Sequence, residues 1–284
     1  MSKKNYKELS RKYRENNSDK QLTASEVESY RTARMPATLA AIEAVLQEVA
    51  QRIHHPVTSF LDMGAGLGAG LLGAREVFPQ IDRAILVEKN PHMIAKGKEL
   101  INAEWVAKDF SRFEPKEADL VLFSYSLGEV SRRNEILKKA WEASKTLVVI
   151  EAGTPTGFSV ILGARARLIE WGGHMVAPCP HREKCPMEGF DWCHFSVRLQ
   201  RTKEHMQAKE ASLGYEDEKY SYVAFSKEKG EICTGRVVRH PLKRSGHVIL
   251  QICGQEGLVE KTITKKEGEI YKKARKLSWG NSFP

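Results

Sequence analysis

The segment FLDMGAGLGAG, residues 60 to 70, limits the possible folds of this chain more than any other stretch. An apolar run reaches an acid, Asp62, and then glycines stand at 64, 66, 68 and 70 before a helical pattern resumes. Glycine there lets the backbone turn sharply and approach a ligand, while the start of the next helix offers unpaired N–H groups. Around this turn, strand-like and helix-like segments alternate. SFLDMG (59–64), AILVEKN (84–90), EWVAKDF (104–110), DLVLFSYSL (119–127) and TLVVIEAG (146–153) are separated by helical stretches from Pro91, over 131–144 and on to about 170. Val-, Ile- and Leu-rich strands in that rhythm predict a parallel sheet with both faces covered.

Two later strands, YSYVAFSK (220–227) and HVILQICG (247–254), have only a short basic connection between them and are expected to pair antiparallel. Five parallel strands ending in such a hairpin match the seven-stranded, Rossmann-like α/β sheet of the S-adenosylmethionine-dependent methyltransferases. The glycines also satisfy a dinucleotide fingerprint, Gly64-x-Gly66-x-x-Ala69, and Glu88 lies at a distance suited to ribose hydroxyls in either case. Asp62 before the first glycine and the terminal hairpin favour S-adenosylmethionine, and no separate substrate domain of a dehydrogenase is visible. The expected cofactor residues are Asp62, Gly64, Gly66, Gly68 and Glu88, with Asp109 on the adenine side.

Catalytic residues are not assigned. The fourth strand ends in Ser124-Tyr125-Ser126-Leu127-Gly128-Glu129, without the Asn/Asp-Pro-Pro-aromatic motif of enzymes that methylate an exocyclic base nitrogen. No cysteine stands nearby to attack a pyrimidine ring. Glu129 and Glu151 are either substrate-orienting or solvated, and solvation is the reading for Glu151.

Upstream, Leu39, Ile42, Val45, Leu46, Val49 and Ile53 recur at helical spacing after Pro36, whereas residues 1–34 read as polar helices. Positive charge gathers at the ends. Residues 1–35 hold nine Lys/Arg against five Asp/Glu, residues 236–284 hold eleven against four, and the stretch between is nearly balanced. Basic ends on a neutral body suit a polyanion such as RNA. There is no apolar run of membrane-spanning length, and the start MSKKNYKELSRKYRENNSDK has neither a signal-peptide core nor the acid-poor character of a transit peptide. These features predict a cytoplasmic protein without membrane contact, a monomer when free.

Three of the five cysteines crowd into CPHREKCPMEGFDWCHF, residues 179–195. An odd, clustered set argues for a metal or redox site rather than a disulfide framework. Cys179, Cys185 and Cys193 have five and seven residues between them and lack the close pair that structural zinc favours. Iron–sulfur clusters accept wide gaps and often have Cys-Pro neighbours, here Cys179-Pro180 and Cys185-Pro186. A 4Fe-4S cubane needs a fourth thiolate. Cys253 at a strand end is preferred, and Cys233 is left as a free thiol. Zinc completed by His181 or His194 is the alternative, and Trp192 with Phe195 would shield the centre.

YRTARMPATLAAIEAVL (30–46), FLDMGAGLGAG, CPHREKCP, WCHFSVR and ARKLSWG together resemble the methyltransferase-like assembly factors of the small ribosomal subunit, best known from mitochondria. The resemblance covers nearly the whole chain. It implies the methyltransferase fold, a role in small-subunit maturation or translation, rRNA as the polyanion, and a 4Fe-4S cluster on Cys179, Cys185, Cys193 and Cys253. It implies RNA contacts for the loop GRVVRHPLKR and the tail TKKEGEIYKKARKLSWG. The chain is shorter than the mitochondrial members and lacks their presequence, which points to a bacterial or archaeal cytoplasm. The expected organisation is a helical region 1–55, a methyltransferase-like domain 56–173 with 215–255, a Cys-rich insertion 174–214 and a basic tail 256–284. A catalytically silent rRNA-binding scaffold and a zinc-stabilised RNA methyltransferase are the alternatives.

Overall fold

The computed structural model describes residues 22–283; the expected helices before residue 22, with much of the basic N-terminal end, lie outside the described residues. Helix α1 (Ala24–Ala33) starts at a capping box, in which Thr23 and Glu26 satisfy each other's backbone donors. Helix α2 (Met35–Ala50) follows after Arg34, with Pro36 in its first turn, and buries Ile42, Val45, Leu46 and Val49 as the spacing predicts, while Leu39 is half-buried and Ile53 lies beyond the helix end.

The main sheet then builds as alternation demands. Its first part runs β1 (Ser59–Met63), α3 (Ala69–Val77), β2 (Arg83–Glu88), α4 (Pro91–Leu100), β3 (Glu104–Ala107) and β4 (Ala118–Ser124). It continues through α5 (Arg133–Ala143), β5 (Ser144–Ala152), α6 (Pro155–Glu170), β6 (His174–Ala177), β7 (Phe195–Gln200), α7 (Lys203–Lys209) and β8 (Tyr215–Ser226). The strand order is β3-β2-β1-β4-β5-β8-β6, with β7 on the other half of β8. The first five strands are parallel, and β8 runs antiparallel to β5, β6 and β7. Apolar side chains fill both faces, one cluster under α2 and α3 and another under α5 and α6. No helix among the described residues is long and apolar enough to cross a membrane.

One expected pairing is corrected. Residues 247–254 do not join the main sheet; its place beyond β8 is taken by β6, a four-residue strand inside the stretch read as insertion. Strand β9 (Gly235–Val237), β10 (Leu242–Lys243), β11 (His247–Gly254), β12 (Gly257–Thr264) and β13 (Ser282–Phe283) form a second, antiparallel sheet. Gly254 and Gly257 flank the tight turn between β11 and β12, and Gly257 has a φ of +100°. A hairpin this short closes at less entropic cost than a return to β8. Helix α8 (Glu269–Lys276) packs Ala274 and Tyr271 onto Val248, Leu250, Ile252 and Ile263, so the expected tail is folded.

Candidate functional site

The parallel strand order reverses between β1 and β4, and a sheet of this kind leaves a crevice outside the carboxyl ends of the strands at that point. Gly64, Gly66 and Gly68 have φ of +95°, +55° and +88°, and the Gly64 and Ala65 N–H groups donate to Val87 O. Left-handed backbone at three alternate positions is what the glycines are for. A Cβ on Gly66 would meet nothing within 4 Å, so the turn is open to a ligand at that point. Glu88 is bound to the turn, accepting from Gly66 N at 2.9 Å and from Asn90 N at 2.8 Å. Burial raises its carboxyl, and those backbone donors oppose the rise.

Asp62 lies beneath the start of α3, and neither carboxylate oxygen has a partner. A Cβ on Gly70 would stand 2.1 Å from Asp62 Oδ2, so only glycine lets helix and acid come this close. Burial, with the charge of Glu88 nearby, pushes Asp62 up to about 8. Asp109 follows β3, accepts from Ser111 N at 2.9 Å and faces Lys89 at 3.8 Å. Burial lifts its carboxyl, but the Ser111 bonds and Lys89 outweigh it and hold the group below its ordinary range. The predicted residues therefore lie together at the carboxyl ends of three neighbouring strands, β1, β2 and β3.

Other residues of the crevice escaped the sequence. Tyr125, directly after β4, has a φ of +56°, a strained conformation for a tyrosine. Its hydroxyl donates to Glu218 Oε1 at 2.9 Å, and Arg34 grips both Glu218 oxygens at 2.8 Å while lying 4.9 Å from the Tyr125 ring centre. Arg34 is the junction of α1 and α2, and at the other end of α1 Asn90 Nδ2 donates to Leu22 O. Helix α1 is thereby fastened across the strand ends. Glu151 is buried rather than solvated, because it accepts from Gly128 N at 2.8 Å; Glu129 is exposed at the rim.

A second cavity lies between α6, the loop after β6 and the second sheet. Cys179, Cys185, Cys193 and Cys253 all line it, together with His181, Phe195, Arg165 and Arg236; Cys233 does not. Cys233 instead contacts Pro178 O and Arg236. Burial raises the thiols of Cys179 and Cys193, and that of Cys253 to about 12. His181 Nε2 is 3.5 Å from Cys253 Sγ. His194 is not among the lining residues; its ring stacks on Trp192 and meets Trp279 edge-on. Trp192 also donates to Gly153 O at 3.0 Å, tying the loop to the end of β5. Among the described residues no three His, Cys, Asp or Glu groups gather closely enough to hold a single metal ion.

Positive charge on the second sheet is divided between structure and surface. Arg236 is buried, bound to Glu48, Gly280 O and Pro178 O, and Arg239 pairs with Asp191. The arginines of the expected loop GRVVRHPLKR thus serve the fold in part, while Lys243 and Arg244 face solvent with Lys265, Lys266, Lys272, Lys273, Arg275 and Lys276.

The strand order, the glycine turn and the acids at the strand ends define a methyltransferase-like α/β protein of Rossmann type. Solved structures similar to it include the plantazolicin methyltransferase BpumL, 14% identical, with a TM-score of 0.47 over 78% of this chain and 98% of that one. Another is precorrin-6y C5,15-methyltransferase from Geobacter metallireducens, 17% identical, with a TM-score of 0.42 over 65% and 87%. The chain belongs to the mitochondrial small ribosomal subunit Rsm22 family, whose model matches residues 24–284. Rsm22-cox11 tandem protein 2 of Schizosaccharomyces pombe is 27% identical over 90% of this chain and 42% of its own length. The ribosome assembly protein RSM22 of Saccharomyces cerevisiae is 24% identical over 48% of this chain and 38% of its own. The chain therefore spans less than half of either relative. Both relatives are mitochondrial, and this overturns the expectation of a cytoplasmic protein. That expectation rested on the lack of a membrane-spanning apolar run, on the composition of residues 1–20 and on the chain's short length, none of which bears on the region the family shares.

Proposed function

We propose that the chain assists assembly of the small ribosomal subunit, binding S-adenosylmethionine in the crevice and rRNA through the basic surface of the second sheet and α8. The observation that carries this reading is the convergence of the glycine turn, Asp62, Glu88 and Asp109 at the strand ends, in a chain of the Rsm22 family. The crevice suits the cofactor: the Gly66 turn is open where a ligand would lie against main chain, and Asp62 offers a buried carboxyl with no protein partner. In this reading Gly64, Gly66 and Gly68 admit the cofactor to the backbone, Glu88 takes the ribose, Asp109 borders the adenine, and Asp62 supports the turn. The cofactor supplies an activated methyl group when bound.

No side chain is assigned as a base, and any transfer rests on positioning. A second reading, an rRNA-binding scaffold that transfers nothing, is favoured by Tyr125, whose hydroxyl is engaged by Glu218 where an acceptor would approach. Incubating the protein with immature small subunits and methyl-labelled cofactor separates the two. Label in rRNA supports the enzyme; cofactor binding by calorimetry without label supports the scaffold; no cofactor binding refutes the cofactor assignment.

The cysteine cavity is read as the seat of a structural 4Fe-4S cluster held by Cys179, Cys185, Cys193 and Cys253. Four thiols around one space, beside an arginine with an unpartnered N–H, suit an extended anionic centre. A single zinc ion needs ligands converging on a point, an arrangement not found among the described residues. Iron, acid-labile sulfide and zinc analysis of protein purified without oxygen decides it: equal iron and sulfide is expected, and zinc without sulfide would overturn the reading.

A further inference from the structure

Arg165 lies on the face of α6 that lines the cysteine cavity, with Phe158, Ile161 and Leu162 beside it. It is 7% exposed. Its Nη2 donates to His181 O at 2.9 Å and Glu183 O at 2.7 Å, both in the loop between Cys179 and Cys185. Its Nε is buried with no partner, and among the described residues no carboxylate pairs with it. The other arginine of the cavity, Arg236, has Glu48 at 2.7 Å. A guanidinium keeps its charge at any physiological pH, and a buried charge without a counter-charge is costly. The fold thus carries one cation more than its own residues balance at this point.

We propose that Arg165 is the counter-ion and hydrogen-bond donor of an anionic sulfur centre in this cavity, a role that rests on the 4Fe-4S reading. Four thiolates around the cluster core leave net negative charge, which Arg165 balances while its Nε donates to a sulfur. The two bonds from Nη2 fix the loop that carries Cys179 and Cys185, so one side chain both shapes the binding loop and compensates what it binds. Positive charge and N–H donors next to cluster sulfurs favour the reduced, more negative form, so Arg165 raises the reduction potential. His181, with Nε2 at 3.5 Å from Cys253 Sγ, is placed as a second donor.

The test compares the full chain with Arg165→Lys and Arg165→Gln, all purified without oxygen. The readouts are iron and sulfide per chain, the rate of iron loss to a chelator, and the midpoint potential from an EPR-monitored titration. Wild-type protein without iron and sulfide would overturn the cluster reading and this proposal with it. With the wild type loaded, the lysine variant is expected to keep its iron, because the charge remains. The glutamine variant is expected to lose iron at least tenfold faster, with its potential lower by about 59 mV, a tenfold change for one electron. A glutamine variant that is insoluble while the lysine variant is loaded supports the charge role. If the glutamine variant matches wild type, Arg165 is not the counter-ion; if the lysine variant fails as badly as glutamine, the carbonyl bonds alone matter and the proposal falls.

Discussion

The crevice buries an acid with no hydrogen-bond donor, and the cysteine cavity buries a base with no counter-charge. Asp62 is enclosed under α3 with no donor, and Arg165 is enclosed beside four thiols with no carboxylate. The crevice draws its glycines and acids from residues 62–109, around three neighbouring parallel strands. The cavity draws on α6, the loop after β6, β8, β9 and β11, and so joins the two sheets. The difference teaches that one site is a property of a local motif and the other a property of how two sheets meet. Damage at the first should stay local, whereas damage at the second should spread.

The largest effect is expected from Arg236→Met, which removes bonds to Glu48, Gly280 O and Pro178 O between the sheets. Urea unfolding should show a loss of about 3 kcal/mol, the cost of breaking a buried ionic network. A loss below about 1 kcal/mol would mean that the sheets are held together elsewhere. Gly70→Ala should cost about 2 kcal/mol, since the new methyl would sit on Asp62 Oδ2, and should abolish cofactor binding while leaving iron content intact. Asp62→Ala in the same chain should restore part of that stability; purely additive losses in the double-mutant cycle would disprove the clash.

A gentler probe is pH. The folded Asp62 carboxyl is raised to about 8 against an ordinary value of 3.8, so the native state binds the extra proton. Its contribution is fully present below about 4 and is lost as pH rises toward 8, with a slope of up to about 1.4 kcal/mol per pH unit. Asp62→Asn should remove that slope, so its stability relative to wild type grows between those limits. A parallel pair of stability profiles would show that Asp62 is ionised in the fold. The smallest stability effect is expected from Lys272→Gln with Lys273→Gln, both exposed on α8: within about 0.5 kcal/mol. The same pair should weaken RNA binding at every sequence tested and flatten its salt dependence. An unchanged salt slope would move the RNA surface elsewhere.

The parallel half of the main sheet was legible because each strand and helix carries its own periodicity, and the glycine turn because only glycine adopts its φ values. Strand β6 is not legible in the sequence: four residues carry too little pattern, and their place beside β8 is set by pairing. Strand β11 is legible as a strand but its sheet is not, since its partner β12 lies in a basic stretch whose sequence reads as tail. Glu151 looked solvated because its buried bond to Gly128 N joins residues that are distant in sequence.

By itself the sequence determined the doubly wound core and the acids and glycines at its strand ends. Those follow from local backbone chemistry, strand position and resemblance. Only the tertiary structure decided that Arg34, Tyr125 and Glu218 join into one hydrogen-bonded group, that Arg236 is a buried strut rather than a surface charge, and that Arg165 lies beside four cysteines with no carboxylate to balance it. Charge in a sequence has no address: whether a guanidinium meets water, a carboxylate or a ring of sulfurs depends on contacts between residues far apart in the chain.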